Sequence, residues 1–133
     1  MKTRVVIADD CELYRELLLI VIGHMPDVEI VGAAADGREA VRFAVENEAD
    51  VALLDIEMPG LDGFAAADAI RRRRPQTELL LHTSALVDDR RRLGTDLGIP
   101  VMDKLHLNRT LELVAGRAQH HGAAPTPALE VAL

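Results

Sequence analysis

The sequence has few cysteines and few aromatic residues. Its 133 residues include one cysteine, no tryptophan, one tyrosine and two phenylalanines. A single cysteine, Cys11, excludes an internal disulfide framework, and no cysteine or histidine spacing matches a zinc site. Because large aromatic side chains are scarce, the core must be built from aliphatic residues. The chain is long enough to bury such a core as one ordinary domain.

The sequence also has few basic residues relative to acidic ones, and it has no long apolar run. Lysine and arginine number 15 against 22 aspartates and glutamates, which gives a formal net charge of −7. That balance argues against direct binding of nucleic acid or an anionic membrane, because phosphate contact needs clustered basic side chains. The longest apolar run is far below the roughly 18 residues that a membrane span needs. Met1–Arg4 leads into a short apolar strand rather than a signal peptide, so we expect a soluble cytoplasmic protein.

Short apolar runs alternate with helical patterns along the chain. Nearly continuous apolar strands that alternate with helices indicate a parallel sheet covered on both faces. Right-handed crossovers then give a doubly wound, three-layer α/β sandwich. Residues 122–133 are rich in alanine and proline and are interpreted as a tail or linker after a domain of residues 1–121. The five strands are expected near residues 4–8, 28–34, 51–54, 78–82 and 101–102, and the helices near 12–24, from 37 onward, 63–73, 87–97 and from 108 onward.

The stretch from Val51 to Gly63 is the most informative segment. A four-residue apolar run ends on Asp55, and a Pro-Gly pair and an Asp-Gly pair follow within eight residues. This pattern predicts a buried strand that delivers one carboxylate to a tight turn. Taken alone, Asp55 could equally well cap that turn.

Other chemistry-bearing residues follow the other strands. Asp9 and Asp10 come after the first strand, Thr83 ends the fourth, and Lys104 follows the fifth. Ligands of parallel α/β sheets bind at the carboxyl ends of the strands, so these side chains should meet Asp55 there. Clustered carboxylates require a neutralising cation, and hard oxygen ligands favour Mg²⁺. A lysine and a hydroxyl suit a phosphoryl group, so the pattern predicts magnesium-dependent phosphoryl chemistry at an aspartate.

These motifs resemble those of bacterial two-component response-regulator receiver domains of the CheY-like kind. The resemblance covers about residues 3–120 and rests on Val-Val-Ile-Ala-Asp9-Asp10, Leu-Leu-Asp55-Ile-Glu-Met-Pro-Gly-Leu-Asp-Gly, Leu-His-Thr83-Ser and Met-Asp-Lys104. The segment 26–40 also resembles the LuxR-type (NarL/FixJ) subfamily, whose members usually carry a C-terminal DNA-binding domain. The resemblance implies a flavodoxin-like sheet of order 2-1-3-4-5 with five flanking helices.

The resemblance also implies a role for each acidic site residue. Asp55 would be the phosphoacceptor and would take its phosphoryl group from the phosphohistidine of a sensor histidine kinase. Asp10 would bind Mg²⁺ directly, and Asp9 would bind it directly or through water. Asp55 and the backbone carbonyl of Glu57 would complete the protein ligands of the ion.

Thr83 and Lys104 would bind the phosphoryl group, and the signal would leave through the fourth helix, fifth strand and fifth helix. The chain departs from the family pattern in this region. Val101 stands where an aromatic residue is usual, and Leu105 replaces a common proline, so we expect the signal to be transmitted differently there. His82 is expected to be packed or at the rim rather than catalytic. The run Arg90–Arg92 is expected to be solvated.

The apolar run Leu17–Ile22 exceeds what one buried helix stripe requires. It is either covered by neighbouring layers or part of an interface between the first and last helices, where a homodimer could form. The face made by the fourth helix, fifth strand and fifth helix is a second candidate for a homodimer.

Three functions from different classes are compatible with these residues. The leading hypothesis is a phosphorylation-controlled interaction module, not an enzyme beyond its own phosphorylation and dephosphorylation, with a possible role in regulating transcription. The first alternative is a haloacid-dehalogenase-like magnesium-dependent phosphatase, although the first strand lacks the spaced acids of that fold. The second is a degenerate receiver that acts unphosphorylated.

Overall fold

A parallel five-stranded sheet forms the centre of the domain in the computed structural model, which describes residues 1–121. The strand order is β2-β1-β3-β4-β5, and every pairing is parallel, which confirms the predicted doubly wound sheet. The predicted tail or linker of residues 122–133 lies outside the described residues. The strands are β1 (Thr3–Ala8), β2 (Val28–Ala34), β3 (Val51–Asp55), β4 (Glu78–Thr83) and β5 (Val101–Asp103).

Five helices alternate with these strands. A single 3₁₀ turn over Lys104–His106, which the sequence did not predict, joins β5 to the last helix. Asp103 starts this turn by accepting a hydrogen bond from the Leu105 amide. None of the helices within residues 1–121 is both long and apolar enough to cross a membrane. The helices are α1 (Glu12–Gly23), α2 (Gly37–Glu46), α3 (Gly63–Arg73), α4 (Asp88–Leu97) and α5 (Leu107–His121).

Side-chain caps fix the start of the helices that follow β2 and β3. Asp36, the predicted N-cap of α2, accepts a hydrogen bond from the Glu39 amide. Asp62 does the same for α3 through the Ala65 amide. Such caps satisfy an amide that would otherwise lack a partner in the first turn. The Asp62 cap holds the loop after β3 in a short, defined path beside Asp55.

Gly63 allows this loop to approach β3 closely. A Cβ at Gly63 would overlap the carbonyl oxygen of Asp55 and lie 2.7 Å from the Ile56 Cα. The Gly63 amide also donates to the Ile56 carbonyl at 2.8 Å. The start of α3 therefore rests directly on the end of the strand that carries Asp55.

The sheet separates two aliphatic cores, one on each face. Alternate strand residues point to opposite faces, as expected for period-two geometry. One core joins Ile7, Leu53 and Leu80 to Leu18 of α1 and Val114 of α5. The other core is formed against α2 and α3, and its buried members include Val6, Leu54, Leu81, Ala40, Ala44, Ala66 and Ile70.

Candidate functional site

Asp9 and Asp55 lie side by side at the carboxyl edge of the sheet. β1 and β3 are paired with Ala8 opposite Leu54. Asp9 and Asp55, which directly follow these two residues, are therefore neighbours. Both residues are buried: Asp9 is 0% exposed and Asp55 is 2% exposed. Lys104, from the turn after β5, places its Nζ 2.8 Å from Asp9 Oδ2 and 3.3 Å from Asp55 Oδ2. The lysine therefore bridges the two acids.

Asp9 is the better stabilised of the two carboxylates. Its Oδ1 accepts a hydrogen bond from the Cys11 amide at 2.8 Å, and its Oδ2 lies 2.8 Å from both His82 Nε2 and Lys104 Nζ. Burial tends to raise the pKa of Asp9, but the hydrogen bonds from His82, Lys104 and the Cys11 amide together hold it below its ordinary value of 3.8. Asp9 is therefore the charged member of the pair.

Asp55 has the opposite balance. Burial and the negative charge of Asp9 raise the pKa of Asp55 from 3.8 to about 7, against the opposing effects of Lys104 and the Glu57 amide. The Glu57 amide donates to Asp55 Oδ1 at 3.2 Å. A second cation at this edge would remove the repulsion that keeps Asp55 from ionising.

Asp10 differs from Asp9 in being exposed at the rim. Its side chain is close enough to Asp55 to contribute to the raised pKa of that carboxyl group. The structure thus brings the three predicted acids and Lys104 together at one edge. Hard carboxylate oxygens next to open solvent suit a Mg²⁺ ion that keeps some of its water.

The buried hydroxyl of Thr83 is paired with the exposed carboxylate of Glu57. The Thr83 hydroxyl donates to Glu57 Oε1 at 3.0 Å and accepts from the Ala85 amide at 3.1 Å. Arg90, in the first turn of α4, donates to the same hydroxyl at 2.9 Å and lies 3.2 Å from Glu57 Oε1. Hydrogen bonds from Arg90 and Thr83 lower the pKa of Glu57. Thr83 is thus held by Glu57 and α4.

His82 is a site residue whose role the sequence did not predict. It is fully buried at the end of β4, with its ring centroid 5.6 Å from that of Tyr14. Burial lowers the pKa of His82, so the imidazole is neutral, and because the Asp9 carboxylate can only accept, Nε2 carries the hydrogen. The Asp9, Asp55 and His82 ligand atoms lie within 4.8 Å of one another. The only hint in the sequence was that a histidine directly follows the apolar run Leu79–Leu81 in a predicted strand.

Arg90 was also missed, and for a different reason. Its neighbours Arg91 and Arg92 are identical in type, and both are exposed. Nothing in the sequence of this run distinguishes the arginine that faces Thr83. The expectation that the whole run is solvated holds for Arg91 and Arg92, whereas Arg90 is half-buried in the site.

One protein family matches most of this chain. Its description is "Response regulator receiver domain", and it matches residues 5–110. A protein-glutamate methylesterase/protein-glutamine glutaminase of Alkalilimnicola ehrlichii is 34% identical over 98% of this chain and 38% of its own length. The transcriptional regulatory protein LiaR of Bacillus subtilis is 40% identical over 65% of this chain and 41% of its own length. The chain therefore spans about two fifths of the length of these relatives.

Solved structures give the same result. The signal receiver domain of the putative response regulator NarL from Mycobacterium tuberculosis superimposes with a TM-score of 0.80 at 30% identity. That comparison covers 89% of this chain and 97% of the NarL domain. The fold, the family match and the arrangement of the strand ends agree with the predicted resemblance. The chain belongs to the family of response regulator receiver domains of two-component systems.

Proposed function

We propose that this receiver domain accepts a phosphoryl group on Asp55 from the phosphohistidine of a sensor histidine kinase. The observation that carries the proposal is the bridge of Lys104 between Asp55 and Asp9 at the carboxyl edge of the sheet. It supports the proposal because the oxygen that would attack phosphorus, a cation that would pair with the phosphoryl oxygens and a second acid lie together. The family match favours this role over the haloacid-dehalogenase-like alternative.

The donor set fits the Mg²⁺ ion that receiver domains bind through their acidic residues. Both oxygens of Asp9 already accept hydrogen bonds, which favours contact with the ion through water. Asp10 is exposed beside Asp55, which favours direct ligation by these two carboxylates. The backbone carbonyl of Glu57 is the remaining proposed ligand. When bound, the ion supplies positive charge that offsets the carboxylates and the phosphoryl oxygens.

The transfer step makes one bond and breaks one. A carboxylate oxygen of Asp55 attacks phosphorus, the phosphorus–nitrogen bond of the donor breaks, and the electron pair leaves with the imidazole nitrogen. Lys104 Nζ, 3.3 Å from Asp55 Oδ2, pairs with the phosphoryl oxygens as the acyl phosphate forms. Thr83 donates its hydroxyl hydrogen to the phosphoryl group, which requires it to leave Glu57.

The output of this reaction is a change in protein contacts. Phosphorylation pulls Thr83 away from Glu57 and Arg90 and so loosens the first turn of α4. We infer that α4, β5 and α5 form the surface that changes, as in the switching of other two-state domains. Val101, in place of the usual aromatic residue, is half-buried in β5 beside α4, so Arg90 is the more direct link from Thr83 to that helix.

The relatives suggest two kinds of output domain. One is named a transcriptional regulatory protein and another a protein-glutamate methylesterase. The resemblance of segment 26–40 to LuxR-type receivers favours transcription regulation. Contact between two copies of the chain through α1 and α5 fits the same proposal.

Small phosphodonors test the proposed phosphoacceptor. With acetyl phosphate or phosphoramidate and Mg²⁺, the intact mass should increase by one phosphoryl group, and this increase should be absent in Asp55→Asn. Asp68→Asn, which removes an exposed α3 acid paired with Arg72, is the matched control and should be modified like the wild type. An unmodified wild type would contradict the proposal and favour a receiver that acts unphosphorylated. Sustained release of phosphate from phosphomonoesters would favour the phosphatase.

A further inference from the structure

We propose that His82 is a positioning residue for the cation and phosphoryl site: it fixes Asp9 for the Mg²⁺ ion, and it remains on Asp9 when Lys104 moves to the phosphoryl group. This inference rests on the proposed function. The observation behind it is that a fully buried imidazole shares one oxygen, Asp9 Oδ2, with Lys104.

The position of His82 in β4 makes a histidine costly there. It pairs with Asp55 of β3, follows three leucines and has no exposed surface. A buried polar ring loses its hydration, and only its hydrogen bonds compensate that loss. Nε2 is bonded to Asp9, whereas Nδ1 has no partner among the described residues. A leucine would avoid this cost, so the bond to Asp9 is the feature that distinguishes histidine here.

The contacts of Asp9 show what that bond does. Cys11 holds Oδ1 through its amide, and His82 and Lys104 both hold Oδ2 at 2.8 Å. Lys104 is the partner that must leave, because its ammonium group is needed at the phosphoryl oxygens. Without His82, a buried carboxylate would then lose its last partner on Oδ2. With His82 present, Asp9 keeps one donor on each oxygen.

A fixed Asp9 matters for the cation as well. A carboxylate that contacts a metal-bound water must keep its orientation, and the groups that hold such outer carboxylates typically contribute 10- to 100-fold to metal affinity. His82 reaches Asp9 from the buried side, and Tyr14 packs against its ring. His82 therefore fixes the orientation of the Asp9 carboxylate, which lies beside Asp55 at the carboxyl edge of the sheet.

Two substitutions of similar size separate the hydrogen bond from the shape of the side chain. His82→Gln keeps an N–H that can donate to Asp9, whereas His82→Met fills the same space without a donor. Calorimetric titration with Mg²⁺, without any phosphodonor, measures the affinity directly. We expect Mg²⁺ to bind His82→Met about tenfold more weakly or worse, and His82→Gln within a few-fold of the wild type.

A control and a second probe accompany this titration. Thr110→Val removes another fully buried polar atom, one without a hydrogen-bond partner within residues 1–121, and should leave Mg²⁺ affinity unchanged. The second probe is the fluorescence of Tyr14, because Tyr14 is the only tyrosine and no tryptophan is present. Its ring lies next to the site, with the ring centroid 4.8 Å from Lys104 Nζ. Phosphorylation by phosphoramidate at saturating Mg²⁺ should also be slower in His82→Met.

The outcomes separate this inference from the proposed function. Wild-type or tighter Mg²⁺ affinity in His82→Met, or an equal loss in the glutamine and methionine variants, overturns the role of His82 even if Asp55 is phosphorylated. If the wild type is not phosphorylated but the affinity contrast is present, the proposed function fails and the positioning of Asp9 stands. Thermal unfolding in EDTA confirms that each variant is folded, and His82→Leu replaces His82→Met if the latter is not.

Discussion

Asp9 and Asp55 are chemically identical side chains a few ångströms apart, yet their proton affinities shift in opposite directions. Asp9 has donors on both oxygens, from Cys11, His82 and Lys104. Asp55 has the Glu57 amide and a longer contact to Lys104, and it faces the charge of Asp9. The number of donors therefore decides which acid carries the charge in the absence of a metal ion. The acid left short of donors is the one proposed to react.

This imbalance predicts how stability depends on pH in the metal-free domain. Because the folded-state pKa of Asp55, about 7, lies above its ordinary value of 3.8, ionising it costs more in the folded state than in the unfolded chain. Its favourable contribution is present below pH 4 and is lost as the pH rises toward and through 7. Asp55→Asn avoids that loss. In EDTA at pH 8 it should increase the free energy of unfolding by roughly 2 to 4 kcal/mol, since a tenfold change in proton affinity is worth about 1.4 kcal/mol.

Urea unfolding of both proteins between pH 4 and pH 8 checks this expectation. The difference should be small at pH 4 and reach its full size above pH 7. Saturating Mg²⁺ should reduce the difference at pH 8, because an ion that binds only the folded state stabilises the wild type. A difference that is largest at pH 4, or that grows with Mg²⁺, would contradict the described electrostatics of Asp55.

At the scale of elements, the side chain of Arg90 connects α4 to the site. One guanidinium nitrogen of Arg90 contacts the Thr83 hydroxyl, the Glu57 carboxylate and the Ala85 carbonyl. These contacts join the start of α4 to the ends of β3 and β4. The N-cap residue of the helix, Val87, accepts backbone hydrogen bonds from the amides of Arg90 and Arg91 but makes no side-chain cap bond, so the Arg90 side chain is an additional hold on the first turn.

Arg90→Ala should therefore loosen the start of α4 in the unphosphorylated domain. A lost hydrogen bond of this kind is worth about 1 kcal/mol, which corresponds to roughly fivefold faster hydrogen exchange of the amides in that turn. Arg91→Ala, at an exposed neighbour, is the matched control and should exchange like the wild type. Phosphorylation should raise exchange in the same turn of the wild type and change it little in Arg90→Ala. Equal exchange in both alanine variants would show that the Arg90 contacts do not hold the helix.

The elements themselves could be predicted well from the sequence, and the contacts between side chains could not. Apolar runs such as Val51–Leu54 and caps such as Asp36 are local signals, and their strand and helix form as predicted. The 3₁₀ turn before α5 was missed because it depends on the Asp103 cap and three residues only. His82 and Arg90 were missed because their partners lie on other strands and loops.

At the scale of the whole molecule, the division of the domain into two faces explains why the site lies where it does. Both faces of the sheet are covered by helices, so the open edge at the strand ends is where buried acids can meet solvent. The predicted acids and Lys104 came together because strand order alone places their segments there. Their donors had to be read from the structure.

The same division leaves α1 with an unusual exposed stripe. Leu18 and Ile22 are fully buried against the sheet, whereas Leu13 and Ile20 are 78% and 60% exposed. Leu17, which is also exposed, lies between them on one helical face at spacings of four and three residues. The apolar run of α1 is therefore only partly used by the core. The remaining stripe is where a second copy of the chain would bind in the proposed α1–α5 dimer.

A charged substitution on this stripe tests that dimer. Ile20→Glu should leave the free energy of unfolding nearly unchanged, because the side chain is mostly in solvent, and should shift a dimer to monomer by placing charge in an apolar contact. Leu93→Glu, at an exposed position on α4, is the matched variant for the alternative face formed by α4, β5 and α5. Light scattering after gel filtration, with and without phosphoramidate and Mg²⁺, measures the mass. Dissociation by Leu93→Glu alone would show that the dimer interface lies on α4 instead. The interface would then be on the same helix that Arg90 connects to Thr83.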